Sequence, residues 1–408
     1  MARAFAGLLL AVWLSIPATL AAADAAFDAF LQSLWPEAEA LGLSRATFDA
    51  ATRGLEPDLT LPDLAIPGRP DRQPAQAEFV QTPADYLREA SIARLAAKGK
   101  KLAAEHRATL AAIEQTYGVP PAVILAIWGR ETAFGGHKLP HDAIRVLATQ
   151  AYVGRRKDMF RRELLAALKM LQDGVPRAQM RSSWGGAMGL TQFLPSEFYQ
   201  HAVDFDGDGR VDIWNSVPDA LASAGKQLAT KGWQRGRRWA YEVKSPAGID
   251  CTIAHPGHVL TIGEWLRRGH VPAHGRKFSI DELKEEASLL MPEGTYGPAF
   301  LTPKNYYVIK DYNFSDLYVL FVGHLSDRIQ DGRRFETPWS KSAQLKTAEV
   351  EAMQRRLTEL GLYRDKIDGK AGMLTRAALG AYQRANGLKL DCWPTAAVLG
   401  HMQGERGH

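Results

Sequence analysis

Tyr117-Gly-Val-Pro-Pro-Ala-Val-Ile-Leu-Ala-Ile-Trp-Gly-Arg-Glu-Thr-Ala-Phe-Gly-Gly136 is the stretch from which the chain is read. Gly118 and the Pro120-Pro121 pair punctuate its front, where proline fits the first turn of a helix. From Val123 to Trp128 every position is apolar, so the helix has no solvent face and belongs inside a core. Glu131 follows at its end, and Gly135-Gly136 are expected to stop the helix. A carboxylate against apolar walls resists ionisation, which raises its pKa toward the range of a general acid. The plainer alternative is a Glu turned to solvent at a helix end, or paired with Arg130 or Lys138.

Three other segments bear on that choice. In Ser182-Ser-Trp-Gly-Gly-Ala-Met-Gly-Leu-Thr-Gln-Phe-Leu-Pro-Ser196, Gly185, Gly186 and Gly189 permit close backbone approach. Gln192 emerges there among apolar neighbours, with an amide that needs partners if buried. Asp204-Phe-Asp-Gly-Asp-Gly-Arg-Val-Asp-Ile-Trp-Asn215 places carboxylates at positions 1, 3 and 5 of a calcium-type loop, with Gly209 at 6. Position 7 is Arg210, which would offer its carbonyl. Position 12 is Asn215 instead of a bidentate Glu, and Asp219 is a substitute carboxylate four residues on. The metal ligands expected are therefore Asp204, Asp206, Asp208, Arg210 and Asp219, around one structural Ca2+ with no part in the chemistry. The third segment, Asn305 to Tyr318, carries four tyrosines and two asparagines, the flat apolar faces and hydrogen-bonding tips of a sugar-binding cleft.

The chain has 408 residues, enough for more than one domain, with 46% hydrophobic and 23% charged residues. Arg3, the apolar run Ala4–Leu20 and Ala21-Ala22-Ala23 read as a secretory signal peptide cut before Asp24. The expected product is soluble and periplasmic, with no further membrane span. Without Arg3, 49 basic residues face 45 acidic ones, a charge of +4. That excess suits an anionic polymer, and no dense basic patch interleaved with aromatics argues for nucleic acid.

Helices are expected over 84–116 (one or two), 156–173, Asp219 to about 231 and 314–329. A capping box at Ser279–Glu282 opens another. Strand candidates are Trp239–Val243 and Tyr306–Ile309. Residues 331–346 read as a polar linker, and 347–408 as a compact unit whose second helix Thr375 caps. Cys251 and Cys392 fall in separate expected domains, 24–330 and 347–408, so two unpaired, mostly buried thiols are expected.

On these residues the chain resembles the bacterial lytic murein transglycosylases of the membrane-bound lytic transglycosylase B family. Gly-Val-Pro-Pro with Ala-Ile-Trp-Gly-Arg-Glu131-Thr is similar to the family's catalytic segment, where Val is commoner at position 130. Gly-Ala-Met-Gly-Leu-Thr-Gln192-Phe-Leu-Pro-Ser, the acidic loop, and Tyr-Asn-Phe-Ser at 312–315 are similar to three further family motifs. The tail resembles the three-helix peptidoglycan-binding module in Gln354, Asp368-Gly369, Thr375, Tyr382-Gln383 and Gly387-Leu388, but has Cys392 where glycine is usual.

The resemblance implies a mainly α, lysozyme-like transglycosylase core with a small β-containing subdomain, plus the helical module. It implies cleavage of the β-1,4 bond between N-acetylmuramic acid and N-acetylglucosamine in peptidoglycan strands, giving 1,6-anhydromuramoyl ends. Glu131 would be acid and then base, with the substrate's 2-acetamido group and cleft dipoles stabilising the oxocarbenium-like transition state. Tyr86, Ser183, Gln192, Tyr312, Asn313 and Tyr318 would line the cleft. Two other readings stay open: a hydrolytic lysozyme-type glycosidase using a second acid such as Asp142 or Glu163, and a catalytically silent wall-binding scaffold.

Overall fold

The computed structural model describes residues 18–69, 81–340, 343 and 345–404. Residues 1–17 of the expected signal peptide, part of the proline-rich stretch after Pro57, and positions 341, 342 and 344 of the expected linker lie outside the described residues. The chain forms two compact units. Among the described residues, one draws on 18–69, 139–187 and 194–196, the other on those within 81–138, 188–193 and 197–404.

The first unit is helical. Its helices include Ala18–Ser33, Arg45–Thr52, Ala143–Val153 and Lys157–Gln172, with a two-residue pairing of His141–Asp142 to Arg181–Ser182. Ser44 caps the second of these through Thr47 N, as its position predicts. Phe48, Leu147, Phe160 and Leu164 are fully buried in this unit.

The second unit is built around the helix Pro121–Thr132, in which every residue from Ala122 to Gly129 is buried. Gly118, at φ 75°, ends the preceding helix Arg107–Tyr117 and turns the chain into it. Helices Glu89–Glu105, Arg107–Tyr117, Val217–Thr230 and Asp316–Gln330 pack around it. The expected 84–116 segment is thus a single helical turn, Pro83–Tyr86, followed by two helices broken at His106. Among the described residues no single helix is long and apolar enough to cross a membrane.

A five-stranded antiparallel sheet runs Val259–Thr261, Glu286–Leu290, Ala299–Thr302, Tyr241–Lys244, Val271–Pro272. Leu289 stands opposite Leu301, and Leu301 opposite Tyr241, so one face fills a small core with Ile262 and Trp265. The strand expected at Tyr306–Ile309 is instead part of the helix Lys304–Asn313. Its β-favouring tyrosines and valine are overridden by tertiary packing, since Tyr306, Val308 and Ile309 all enter the main core.

The C-terminal segment forms helices Thr347–Glu359, Met373–Ala385 and Ala396–Met402. Gln354 is fully buried: its amide donates to Asp368 Oδ1 (3.0 Å) and accepts from Asp368 N and Gly369 N. Gln383 does the same for a second loop, accepting from Asp391 N and Cys392 N. Thr375 is not a cap; Gly372 precedes the helix, and Thr375 Oγ1 donates to Lys370 O from inside its first turn.

Cys251 and Cys392 are not free thiols. They form a disulfide across 141 residues of sequence, with Cα atoms 6.1 Å apart. The sequence hides this because the approach is tertiary. The helix Met373–Ala385 packs on the turn Cys251–Ile253, and Gly380 makes room, since a Cβ there would lie 2.3 Å from Cys392 Sγ. Around the bridge, Arg384 pairs with Asp250 (2.7 Å) and Tyr296 donates to Asp391 (2.7 Å). Nor do residues 331–340 behave as a loose linker: Phe335 stacks on His324 at 4.0 Å and Glu336 accepts from Lys244. Closing so long a loop restricts the unfolded chain, so replacing both cysteines by serine should cost about 2–5 kcal/mol. Denaturant unfolding of the oxidised protein against the double-serine variant measures it.

Candidate active site

The last turn of the central helix does not run on to the glycine pair. It ends at Thr132, and Ala133 (φ 50°) and Phe134 (φ 59°) take the left-handed conformation before Gly135. Left-handed backbone is costly for residues with a Cβ and persists only where the surroundings enforce it. Here Phe134 is buried edge-on against Trp128, 5.5 Å between centroids. Lys98 Nζ donates to Ala133 O at 3.0 Å. Gly129 supplies the space, because a Cβ at that position would meet Phe134 Cζ at 2.7 Å. Thr132 Oγ1 accepts from Gly135 N (3.1 Å) and donates to Leu190 O (2.7 Å), tying the turn to the glycine-rich segment.

Glu131 is half-buried, one residue before that stop. Its Oε1 accepts from the Tyr318 hydroxyl at 2.5 Å. Burial, then the neighbouring Glu131 carboxylate, push the Tyr318 phenol well above its ordinary pKa, so it stays protonated and can only donate to the carboxylate. Tyr312 lies parallel to Tyr318, with 6.3 Å between centroids and 9° between planes, and its hydroxyl donates to Thr191 O at 2.6 Å. Burial and then Glu131 raise the Tyr312 phenol in the same way. Gln192 sits at φ 60° with its amide donating to Gly189 O, between the reciprocal backbone bonds of Met188 and Phe193. Asn313 ends the helix Lys304–Asn313, and its buried Oδ1 has no hydrogen-bond partner among the described residues. An unmet buried acceptor next in sequence to Tyr312 has capacity for a ligand donor.

Tyr86 is reached differently from the other candidates. Its hydroxyl accepts from Arg130 Nε (3.0 Å) and Nη2 (2.6 Å), and the guanidinium lies over the rings of Tyr86, Tyr318 and Phe321. Arg130 is therefore engaged with aromatic rings. Ser183 belongs to the first unit, where its Oγ accepts from Ala187 N (3.2 Å) in a tight turn. Asp142 and Glu163, the alternative second acids, also belong to that unit and hold its structure. Asp142 caps Ala143–Val153 and pairs with Arg177 (2.9 Å), and Glu163 accepts from Ser196 N and Oγ. Thr132, Lys98 and Thr191 are contributors that sequence reasoning did not single out. Of these, Thr132 and Thr191 each stood beside a recognised motif residue, Glu131 and Gln192, and Lys98 did not.

In the acidic loop, oxygens of Asp204, Asp206 and Asp219 lie within 4.8 Å of one another. Oxygens bound to one calcium at 2.3–2.6 Å have such spacings, so the donor set fits a hard cation. Asp219 is fully buried and accepts from Phe205 N, Asp206 N and Asp212 N, which fixes the loop's backbone. Asp208 is not part of the trio; its carboxylate accepts from Arg210 N at 2.8 Å. Asp204 and Asp206 accept similar turn bonds, from Gly207 N and Gly209 N and from Asp208 N. Asn215 likewise donates to Asp212.

Residues 26–327 match the transglycosylase SLT domain family and residues 346–402 the putative peptidoglycan binding domain family. The chain belongs to the transglycosylase SLT domain family, with the binding domain at its C-terminal end. It is similar to SltB3 from Pseudomonas aeruginosa, solved in complex with NAG-NAM-pentapeptide: 37% identity, 92% of this chain and 99% of that one, TM-score 0.82. A match to Escherichia coli lytic transglycosylase Slt35, solved with calcium, has 28% identity over 60% of this chain and 76% of that one, TM-score 0.52. With membrane-bound lytic murein transglycosylase B of Escherichia coli (strain K12) it shares 32% identity over 218 residues, 53% of this chain and 58% of the relative's length.

Two substitutions probe the geometry. Tyr318→Phe keeps the ring but removes the donor to Glu131; a hydrogen bond to a charged group of about 1.5–3 kcal/mol translates into a roughly 10–100-fold fall in kcat. Gly129→Ala should destabilise by about 1–3 kcal/mol through overpacking against Phe134 and lower activity with it. Steady-state kinetics and thermal melts of the two variants check both figures.

Proposed function

We propose that the protein is a lytic transglycosylase cleaving the β-1,4 bond between N-acetylmuramic acid and N-acetylglucosamine in peptidoglycan, with Glu131 as acid and then base. The single observation that carries this reading is the Glu131–Tyr318 hydrogen bond at the end of a helix otherwise buried on every side. Glu131 protonates the leaving glycosidic oxygen as the bond from C1 breaks. The carboxylate then takes the proton of the muramoyl C6 hydroxyl, whose oxygen bonds to C1 and closes the 1,6-anhydro ring. No water is consumed, and the proton count on Glu131 is restored. Tyr318 donates to the carboxylate in both halves and so favours the charged intermediate state. Tyr86, Gln192, Tyr312, Asn313 and, from the first unit, Ser183 are assigned to substrate binding.

Residues 24–330 form the catalytic domain in this reading, and 347–408 the peptidoglycan-binding domain joined to it by 331–346. The site of action is the periplasm after signal-peptide removal. Replacing Glu131 by Gln keeps shape and removes the transferable proton, so turnover should fall by about 10²–10⁴-fold while binding to sacculi persists. Mass analysis of digested murein separates the reactions. Anhydro ends support transglycosylation, ends heavier by one water mean hydrolysis, and an unaffected Glu131→Gln variant removes Glu131 from the mechanism.

Calcium at Asp204, Asp206 and Asp219, with the Arg210 carbonyl, would tie the loop down by cancelling the repulsion of the carboxylates and takes no part in bond breaking. An ion binding only the folded state stabilises it by about 2.7 kcal/mol at a hundredfold excess over Kd. Melting temperature should rise with calcium and fall with chelator, less so with magnesium. Asp206→Ala should abolish the response, and calorimetry on metal-free protein measures it.

A further inference from the structure

The helix Met373–Ala385 of the C-terminal module sends one charged side chain inward. Arg376 is 8% exposed, its Nη1 donates to Ala371 O at 2.5 Å, and its Nη2 lies 3.7 Å from Asp316 Oδ2. Asp316 opens the helix Asp316–Gln330 and is the meeting point of the corner that precedes it. Its Oδ1 accepts from Tyr306 Oη (2.7 Å) and Lys310 Nζ (2.6 Å), both on the preceding helix Lys304–Asn313. Burial pushes the Asp316 carboxyl up, yet Lys310 and Arg376 outweigh it and hold the carboxyl below its ordinary range, so it is an anion between two cations.

The corner needs such a fastening. Phe314, between the two helices, adopts φ 58° and is 77% exposed, so its own ring does nothing to hold a left-handed backbone in place. Ser315 caps the next helix through Tyr318 N, at a long 3.4 Å. On either side of this turn stand Tyr312 and Asn313, then Tyr318 with its bond to Glu131. Asp316 is two residues, about 3 Å of helix rise, from Tyr318. A cavity of about 240 Å³ borders Lys310, Phe314, Asp316, Lys370 and Arg376, so the charge cluster has space to loosen into if one member is lost.

We propose that Arg376, carried by the peptidoglycan-binding module, is a positioning residue for the Glu131–Tyr318 pair, acting through Asp316. The module is then more than a tether. Its docking supplies the second cation that fixes the start of the Tyr318 helix, and with it the placement of the Tyr318 hydroxyl on the acid. This rests on the reading of Glu131 as the catalytic acid.

The test uses the full chain with its disulfide intact and a soluble tetrasaccharide fragment of murein as substrate. Arg376→Met keeps the aliphatic stem and removes the charge. It should lower kcat by about tenfold to a hundredfold, the scale of a misplacement near 1 Å, with KM within about twofold and sacculus binding retained. Arg376→Lys should recover most of the loss. Asp250→Asn breaks another module contact, the pair with Arg384, without touching the corner, and should leave kcat as in the wild type. Should Arg376→Met fail to fold, Asp316→Asn removes the anion that Arg376 shares with Lys310 and Tyr306 and should show the same selective kcat loss. A folded Arg376→Met or Asp316→Asn variant with wild-type kcat overturns the proposal. So does an equal kcat loss in Asp250→Asn, which would assign the effect to docking in general. Normal turnover in Glu131→Gln would overturn instead the reading beneath it, whatever the Arg376 variants do.

Discussion

A half-buried carboxylate has to be met by a donor, and for Glu131 the Tyr318 phenol is such a donor. The Tyr318–Glu131 bond joins the two helices that make the heart of the second unit, Pro121–Thr132 and Asp316–Gln330. Much of the surrounding architecture serves to hold its two ends. On the Glu131 side, Gly129, Phe134 and Lys98 force the helix to stop one residue later by a left-handed turn. On the other, Tyr312 lies flat along Tyr318 and is itself anchored on Thr191 O. Each support is a short-range contact, but the residues come from four separate stretches of sequence.

The same division of labour runs through the polar interior. Buried amides and carboxylates here are seldom lone. Gln354 and Gln383 each close a loop of the C-terminal module, and Asp219 gathers three backbone N–H groups under the acidic loop. Asn313 is one of a few whose buried oxygen has no hydrogen-bond partner among the described residues, with Gln150, Gln227 and Glu293.

What could be read from the chain follows from how local each signal is. The Pro-Pro start and all-round apolarity of the Glu131 helix, the Ser44 cap and the Ser279–Glu282 capping box depend on neighbours within a turn, and all three are present. The helix Ala143–Val153 escaped notice because almost all of it is buried, which erases the periodicity that marks an amphipathic helix. Tyr306–Ile309 was misread as strand because its residue types favour β structure and only packing decides otherwise. The Cys251–Cys392 bridge had no local signature at all, and the pair was expected as free thiols.

That bridge also bears on how the chain can be divided. Cys392 and Leu390 lie in the core formed by the sheet strands and Trp265, while Met373 enters the core around the Glu131 helix. The point at which the sequence changes family is therefore not a seam in the packing. Recombination at residues 331–346, by evolution or in the laboratory, would exchange pieces of two hydrophobic cores together with a recognition domain. A new C-terminal partner would inherit the task of filling them. Lineages that shuffle such modules freely need a cleaner joint than this one, and here the wall-binding segment has in effect become part of the enzyme's interior.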